Sequence, residues 1–165
     1  FYFILYQFLR YKYDNIEVVF ISHSTDAKEV TEKDFFEKAS TGGTLASSAL
    51  DLEKEIIQKR FHPSVWNIYT FYSGDGENWS FDNKKAVDLF LYLKEVSQMT
   101  CYAEINPTSL NDSSFRGGMF YGTDTDDGSL WRMLHPLVDP TFRIIKISES
   151  GHIWPAFQKM FGGEK

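Results

Sequence analysis

Four short runs constrain most strongly what this chain can fold into. They are residues 16–22 (IEVVFIS), 66–72 (WNIYTFY), 100–105 (TCYAEI) and Phe142–Ile147 (FRIIKI). Each is rich in β-branched or aromatic residues, and the first is almost continuously apolar. That is the pattern of core strands, and in the first case of a strand covered on both faces. The segments between them carry helical periodicity. Leu45, Ala49, Leu52 and Ile56 fall on one stripe of a helix over 46–59. Ala86, Leu89, Phe90, Leu93 and Val96 do the same over Asn83–Val96. Strands joined by helical crossovers predict a three-layer α/β fold, a mostly parallel sheet with helices on both faces.

The remaining segments fit around that frame. Residues 1–13 are apolar almost all round and read as a buried helix. Residues 27–31 (AKEVT) read as a charged edge strand, and 32–38 as one or two helical turns. Residues 106–127 are irregular, with Pro107, several glycines and an acidic run. A helix over 129–137 precedes the fourth core strand, and a closing helix over 153–161 follows it, with Pro155 in its first turn. The length of 165 residues suits one domain spanning 1–165. The chain opens on Phe1 with no basic n-region, which predicts a fragment of a longer protein rather than a secretion signal.

Charge and cysteine usage narrow the function classes. Seventeen basic against 23 acidic residues leave a net charge of −6, which argues against a general nucleic-acid binder. No apolar run reaches the roughly 18–20 residues that cross a bilayer. One cysteine, Cys101, excludes an internal disulfide and a Cys-rich zinc site, and its core-strand position suits a small buried hydrophobe.

Chemistry is best sought in two polar loops, because open parallel sheets bind ligands at the carboxyl ends of their strands. One loop is Ser40, Thr41, Gly42, Gly43 and Thr44; the other runs from Ser73 through Asp75, Glu77 and Asn78, directly after a core strand. The Thr44 hydroxyl and the Asp75 carboxylate could meet there, and oxygen ligands suit Mg²⁺, Mn²⁺ or Ca²⁺. The plainer reading makes both ordinary Gly/Asp/Ser turns. Neither loop matches a phosphate loop or a nucleophile elbow. His23 follows the first core strand and could face the same end as Asp75. Asp124, Asp126 and Asp127 lack the downstream Glu of a calcium loop. Asn78-Trp79-Ser80 and Asn111-Asp112-Ser113 fit the glycosylation sequon by chance. Trp154 reads as the core anchor of the last helix, whereas Trp79 reads as an exposed aromatic on a partner surface.

The stretches FISHSTDAKEVTEKDFF, STGGTLASSAL, WNIYTFYSGDGENWSFDN and FRIIKI with HIWPAF resemble the YeaH/YhbH family over nearly the whole chain. This is the domain-of-unknown-function 444 group, UPF0229, bacterial proteins associated with stress or sporulation. The resemblance implies a Rossmann-like von Willebrand factor A domain with a metal-ion-dependent adhesion site. Thr44 would match the site's Thr and Asp75 its later Asp, while the D-x-S-x-S element occurs nowhere in the chain. The first, central strand would then be missing. Its neighbours would either pair directly or be bridged by another copy as a homo-dimer.

The implied function is a non-enzymatic, cytoplasmic protein-interaction module. Its Mg²⁺ or Mn²⁺ would be bound in the full-length protein and not by this fragment. Ser40, Gly43, Glu77, Asn78 and Trp79 would contact the partner. The resemblance suggests a PrkA-like serine protein kinase and a SpoVR-like protein, whose genes often neighbour the family's, with no nucleic acid and no membrane as partner. The alternative is a metal-dependent hydrolase or phosphatase using Asp75 with His23.

Overall fold

The computed structural model describes residues 1–38, 43–105 and 129–161. In chain order the elements are α1 (Tyr2–Lys12), β1 (Phe20–His23), β2 (Ala27–Val30), α2 (Glu32–Glu37), α3 (Ala46–Arg60), β3 (Tyr69–Gly74), α4 (Asn83–Val96), β4 (Met99–Ile105), α5 (Leu130–Leu134), β5 (Phe142–Ile147) and α6 (Ile153–Phe161). One 3₁₀ turn, His135–Leu137, extends α5 where Pro136 prevents an α-helical continuation, and a second, Ser150–His152, leads into α6.

The chain is a mixed α/β structure, and its central sheet is parallel, in the order β3-β4-β5. Tyr72 stands opposite Tyr102, which stands opposite Ile144. Alternation along these strands builds two cores. On one face Tyr72, Tyr102, Phe142 and Ile144 pack with Leu50 of α3, Phe90 and Leu93 of α4, and Leu134 of α5. On the other face Met99, Cys101, Ala103, Ile145 and Ile147 pack with Ala156 and Met160 of α6. Helices therefore cover both faces of this sheet, and the runs TCYAEI and FRIIKI read as near-continuously apolar for that reason.

The expected single sheet is instead two. β1 and β2 form a separate antiparallel pair, Phe20 opposite Val30 and His23 opposite Ala27. The expected strand over 16–22 forms only from Phe20, and the one over 66–72 only from Tyr69. Among the described residues their first halves have no neighbouring strand to bond. β1 and β3 do not pair directly; a cleft of about 600 Å³ lies between them, roofed by α1 and floored by α3.

Trp154 also departs from expectation. It is 60% exposed and stacks on Phe157 at 5.7 Å, while Phe157 and Met160 anchor α6. Position explains the swap: Ala156 and Met160, four residues apart, face the sheet, Phe157 turns to Phe8 of α1, and Trp154 sits in the first turn at the rim. No helix among the described residues is long and apolar enough to cross a membrane.

Candidate functional site at the carboxyl end of the sheet

The loop after β3 is built by a glycine and three side chains. Gly76 has φ +92°, and a Cβ there would lie 2.9 Å from the carboxyl carbon of Glu104. Only glycine meets both demands. Asp75 shapes the turn beside it, its Oδ1 accepting the Glu77 N–H at 3.0 Å. The next two residues to matter point at another element. Helix α3 starts at Leu45, whose side chain cannot cap it. Asn78 Oδ1 accepts the Ala46 N–H at 2.8 Å, and buried Asp82 Oδ2 accepts the Ser47 N–H at 3.0 Å. The carboxylate also lies favourably at the positive end of the helix dipole.

These caps bring together the two loops singled out in the sequence. The Trp79 N–H points to the Thr44 carbonyl at 3.4 Å, and Gly43 lies flat against the Trp79 indole. Asp75 and Glu77 are exposed beside them, and Thr44 is half-buried. Trp79 is 49% exposed and packs edge-on against Phe81, which is 70% exposed, with 5.3 Å between ring centroids. Asn78 is engaged at both ends of its amide, because its Nδ2 also donates to Asn83 Oδ1 at 2.7 Å. Its apparent sequon is thus a helix cap. Ser40, the acidic run 124–127 and the second sequon lie outside the described residues.

The Asp75 charge acts on several titratable groups around it. It raises Glu77 beyond the effect of partial burial, and it adds to the burial that raises the Tyr72 and Tyr102 phenols. Burial lowers His23, a shift that a hydrogen bond with the Ser73 backbone and the Asp75 charge partly offset. The imidazole lies 5.1 Å from the Tyr72 ring. Cys101 is pushed up to about 12 by burial and is inert as a nucleophile at neutral pH.

Sequence reasoning missed Glu104 and Lys146 at this same end. Glu104 is 7% exposed and paired with Lys146 at 2.8 Å across β4 and β5. A charge inside the apolar run TCYAEI was the available signal, since a buried carboxylate needs a partner.

The residues present do not complete a cation cage. Among the described residues no three His, Cys, Asp or Glu side chains converge as ligands. Thr44 and Asp75 alone fall well short of the six oxygens a hard divalent cation takes up.

Comparison with known proteins places this geometry in a family. The family described as "Protein of unknown function (DUF444)" matches residues 1–164. A UPF0229 protein of Ruminiclostridium cellulolyticum is 42% identical over 160 residues, 97% of this chain and 37% of that protein. UPF0229 proteins of Clostridium perfringens and Chromohalobacter salexigens are 36% and 38% identical, covering 99% and 98% of this chain but only 38% and 35% of their own lengths. No solved structure matches. The chain thus spans little more than a third of the curated relatives it matches, and it belongs to the DUF444 (UPF0229) family.

Proposed function

We propose that this chain is a non-enzymatic protein-interaction module whose contact surface is the carboxyl end of its parallel sheet. The observation that carries the reading is the exposed Trp79–Phe81 pair. A bare aromatic pair on a loop fixed by two helix caps loses little conformational entropy on binding, and such anchors dominate interface energetics. Asp75 and Glu77 beside it favour a basic or cation-bearing partner surface. Cys101 is inert and buried, which removes one route to covalent catalysis.

The architecture we assign is von Willebrand factor A-like, with the first central strand supplied elsewhere in the longer protein. In that protein Thr44 and Asp75 would contribute two oxygens to a Mg²⁺ or Mn²⁺ site, and this chain alone would bind either ion weakly. The partners we assign from the resemblance are a PrkA-like serine protein kinase and a SpoVR-like protein of a cytoplasmic stress or sporulation response.

The test is calorimetric titration of each purified partner into this chain, with and without Mg²⁺. Trp79→Ala should weaken binding at least about tenfold, the loss of one aromatic anchor, with unfolding unchanged. Equal binding by wild type and Trp79→Ala would refute the surface. Hydrolysis of a phosphoester that Asp75→Ala abolishes would replace the reading with a metal-dependent phosphatase.

A further inference from the structure

The cleft between the two sheets is bounded by an edge of β3 that has no neighbouring strand among the described residues. The Ile68 carbonyl accepts the Gln98 N–H at 2.8 Å on the β4 side. Backbone groups alternate along a strand, so Tyr69, Phe71 and Ser73 turn theirs to the opposite edge. Among the described residues no strand lies there. Two side chains reach that edge instead. Tyr2 of α1 donates its hydroxyl to the Phe71 carbonyl at 2.9 Å, and Ser73 hydrogen-bonds the same hydroxyl through its side chain and its backbone. His23 of β1 hydrogen-bonds the Ser73 backbone as well. The Phe71 carbonyl and the Ser73 N–H are the two groups that one residue of a parallel neighbour, opposite Tyr72, would engage.

The far wall repeats the pattern. Among the described residues β1 pairs with β2 alone, and residues 16–19, which precede it, line the cleft without belonging to any strand. So do residues 66–68 before β3. Both segments have strand composition, yet Val18 is 37% and Trp66 39% exposed. Leu5, Leu9, Ile56 and Ile57 line the cleft above and below, with the Glu53 carboxyl accepting the Thr70 hydroxyl on its floor.

We propose that the cleft is the seat of an extended, apolar segment that adds as a strand along the free edge of β3 and joins the two sheets, Tyr2 and His23 holding its place meanwhile. Its source is the portion of the longer family proteins outside the span this chain covers, since the curated relatives are matched over only 35–38% of their lengths. A segment that passes Glu53 should present a hydrogen-bond donor to it. The proposal takes up the incomplete sheet of the preceding reading, but it stands on the β3 edge and needs no cation.

Peptides of about 12 residues, strand plus flanks, tiling the unmatched part of the Ruminiclostridium cellulolyticum relative, would be added to this chain and followed by amide hydrogen exchange. One stretch should bind and slow exchange at Phe71 and Ser73 by at least about tenfold, leaving Cys101 in β4 unchanged. Tyr2→Phe should bind that peptide about fivefold tighter, because one net hydrogen bond of the empty state no longer has to be broken. His23→Ala should shift affinity in the same direction, which guards against a folding defect in one variant.

The proposal falls if no peptide protects Phe71 and Ser73, or if binding leaves those two amides untouched. It also falls if their protection grows with protein concentration alone, the mark of a second copy. None of these outcomes bears on Mg²⁺ titration or on Trp79, so its failure is separable from that of the interaction surface.

Discussion

At the scale of single residues, Glu53 is the group with the most to reveal. Burial raises its carboxyl to about 7 from the ordinary 4.5, an effect the Thr70 hydroxyl partly offsets. Below 4.5 the carboxyl is protonated in folded and unfolded chains alike, and burial carries no ionisation penalty. As pH rises towards 7 the unfolded chain ionises first, so folding stability falls across that window and flattens above it. At about 1.4 kcal/mol per unit the loss is up to about 3 kcal/mol, less where water in the cleft screens the charge. Glu53→Gln should keep the Thr70 bond and abolish the slope, as read by urea unfolding at about pH 5 and about pH 8. Asp82 tests the opposite kind of carboxylate, one held by a helix end. Asp82→Ala should cost about 1–2 kcal/mol and loosen the first turn of α3, while Trp79→Ala should cost far less. The sequence suggested that the Thr44 hydroxyl and the Asp75 carboxylate could meet, and the structure brings their two loops together through Trp79 and Asn78. It could not show that Asn78 and Asp82 serve α3. Capping from 32 and 35 residues away leaves no local spacing to read.

Elements were legible wherever their burial is local to one sheet. FRIIKI and TCYAEI became β5 and β4 almost residue for residue, because each has its hydrogen-bonded neighbour in this chain. IEVVFIS and WNIYTFY lost their first halves although their composition is as strand-like. β propensity is a preference for a pleated, half-buried surface, and without a partner strand that surface is lacking. Helix α6 shows the complementary case, an element fixed by a contact that sequence patterning does not encode. The Arg143 guanidinium on β5 donates to the Lys159 and Met160 carbonyls at 2.9 and 2.5 Å, filling acceptors at the end of α6 that the helix itself leaves empty. Charge-assisted bonds of this kind contribute more than neutral ones. Arg143→Ala should therefore lower stability by about 1.5 kcal/mol. The loss should appear as faster amide exchange in the last turn of α6, with β5 itself unaffected. Arg143→Lys should recover only part of it, since one ammonium cannot match the planar fork.

For the whole molecule, the division into two sheets predicts two levels of stability. The β3-β4-β5 sheet is sandwiched between α3, α4 and α5 on one face and α6 on the other, and its central strand is buried along six of seven residues. The β1–β2 pair has a single layer of support. Its strand residues are half-buried or exposed, and it leans on α3 and on the aromatic packing of Phe20 with Phe35 and Phe36 of α2. A two-stranded ribbon of four residues a side is marginal in water. The cleft separates it from the free edge of β3, so no backbone ladder couples the two parts among the described residues. Native-state hydrogen exchange should then resolve two opening units rather than one. Amides of Ser22 and Lys28, a hydrogen-bonded pair of that ribbon, should exchange about ten- to a hundredfold faster than those of Cys101 and Ile145, a difference of roughly 1.4–2.8 kcal/mol in opening free energy. Equal protection in both parts would mean that the cleft is already closed in solution. If a longer family protein carries a strand in that cleft, the same two sets of amides should converge there. A continuous ladder would make β1 and β3 open together, and the unit that presents Trp79 would inherit the rigidity of the full sheet.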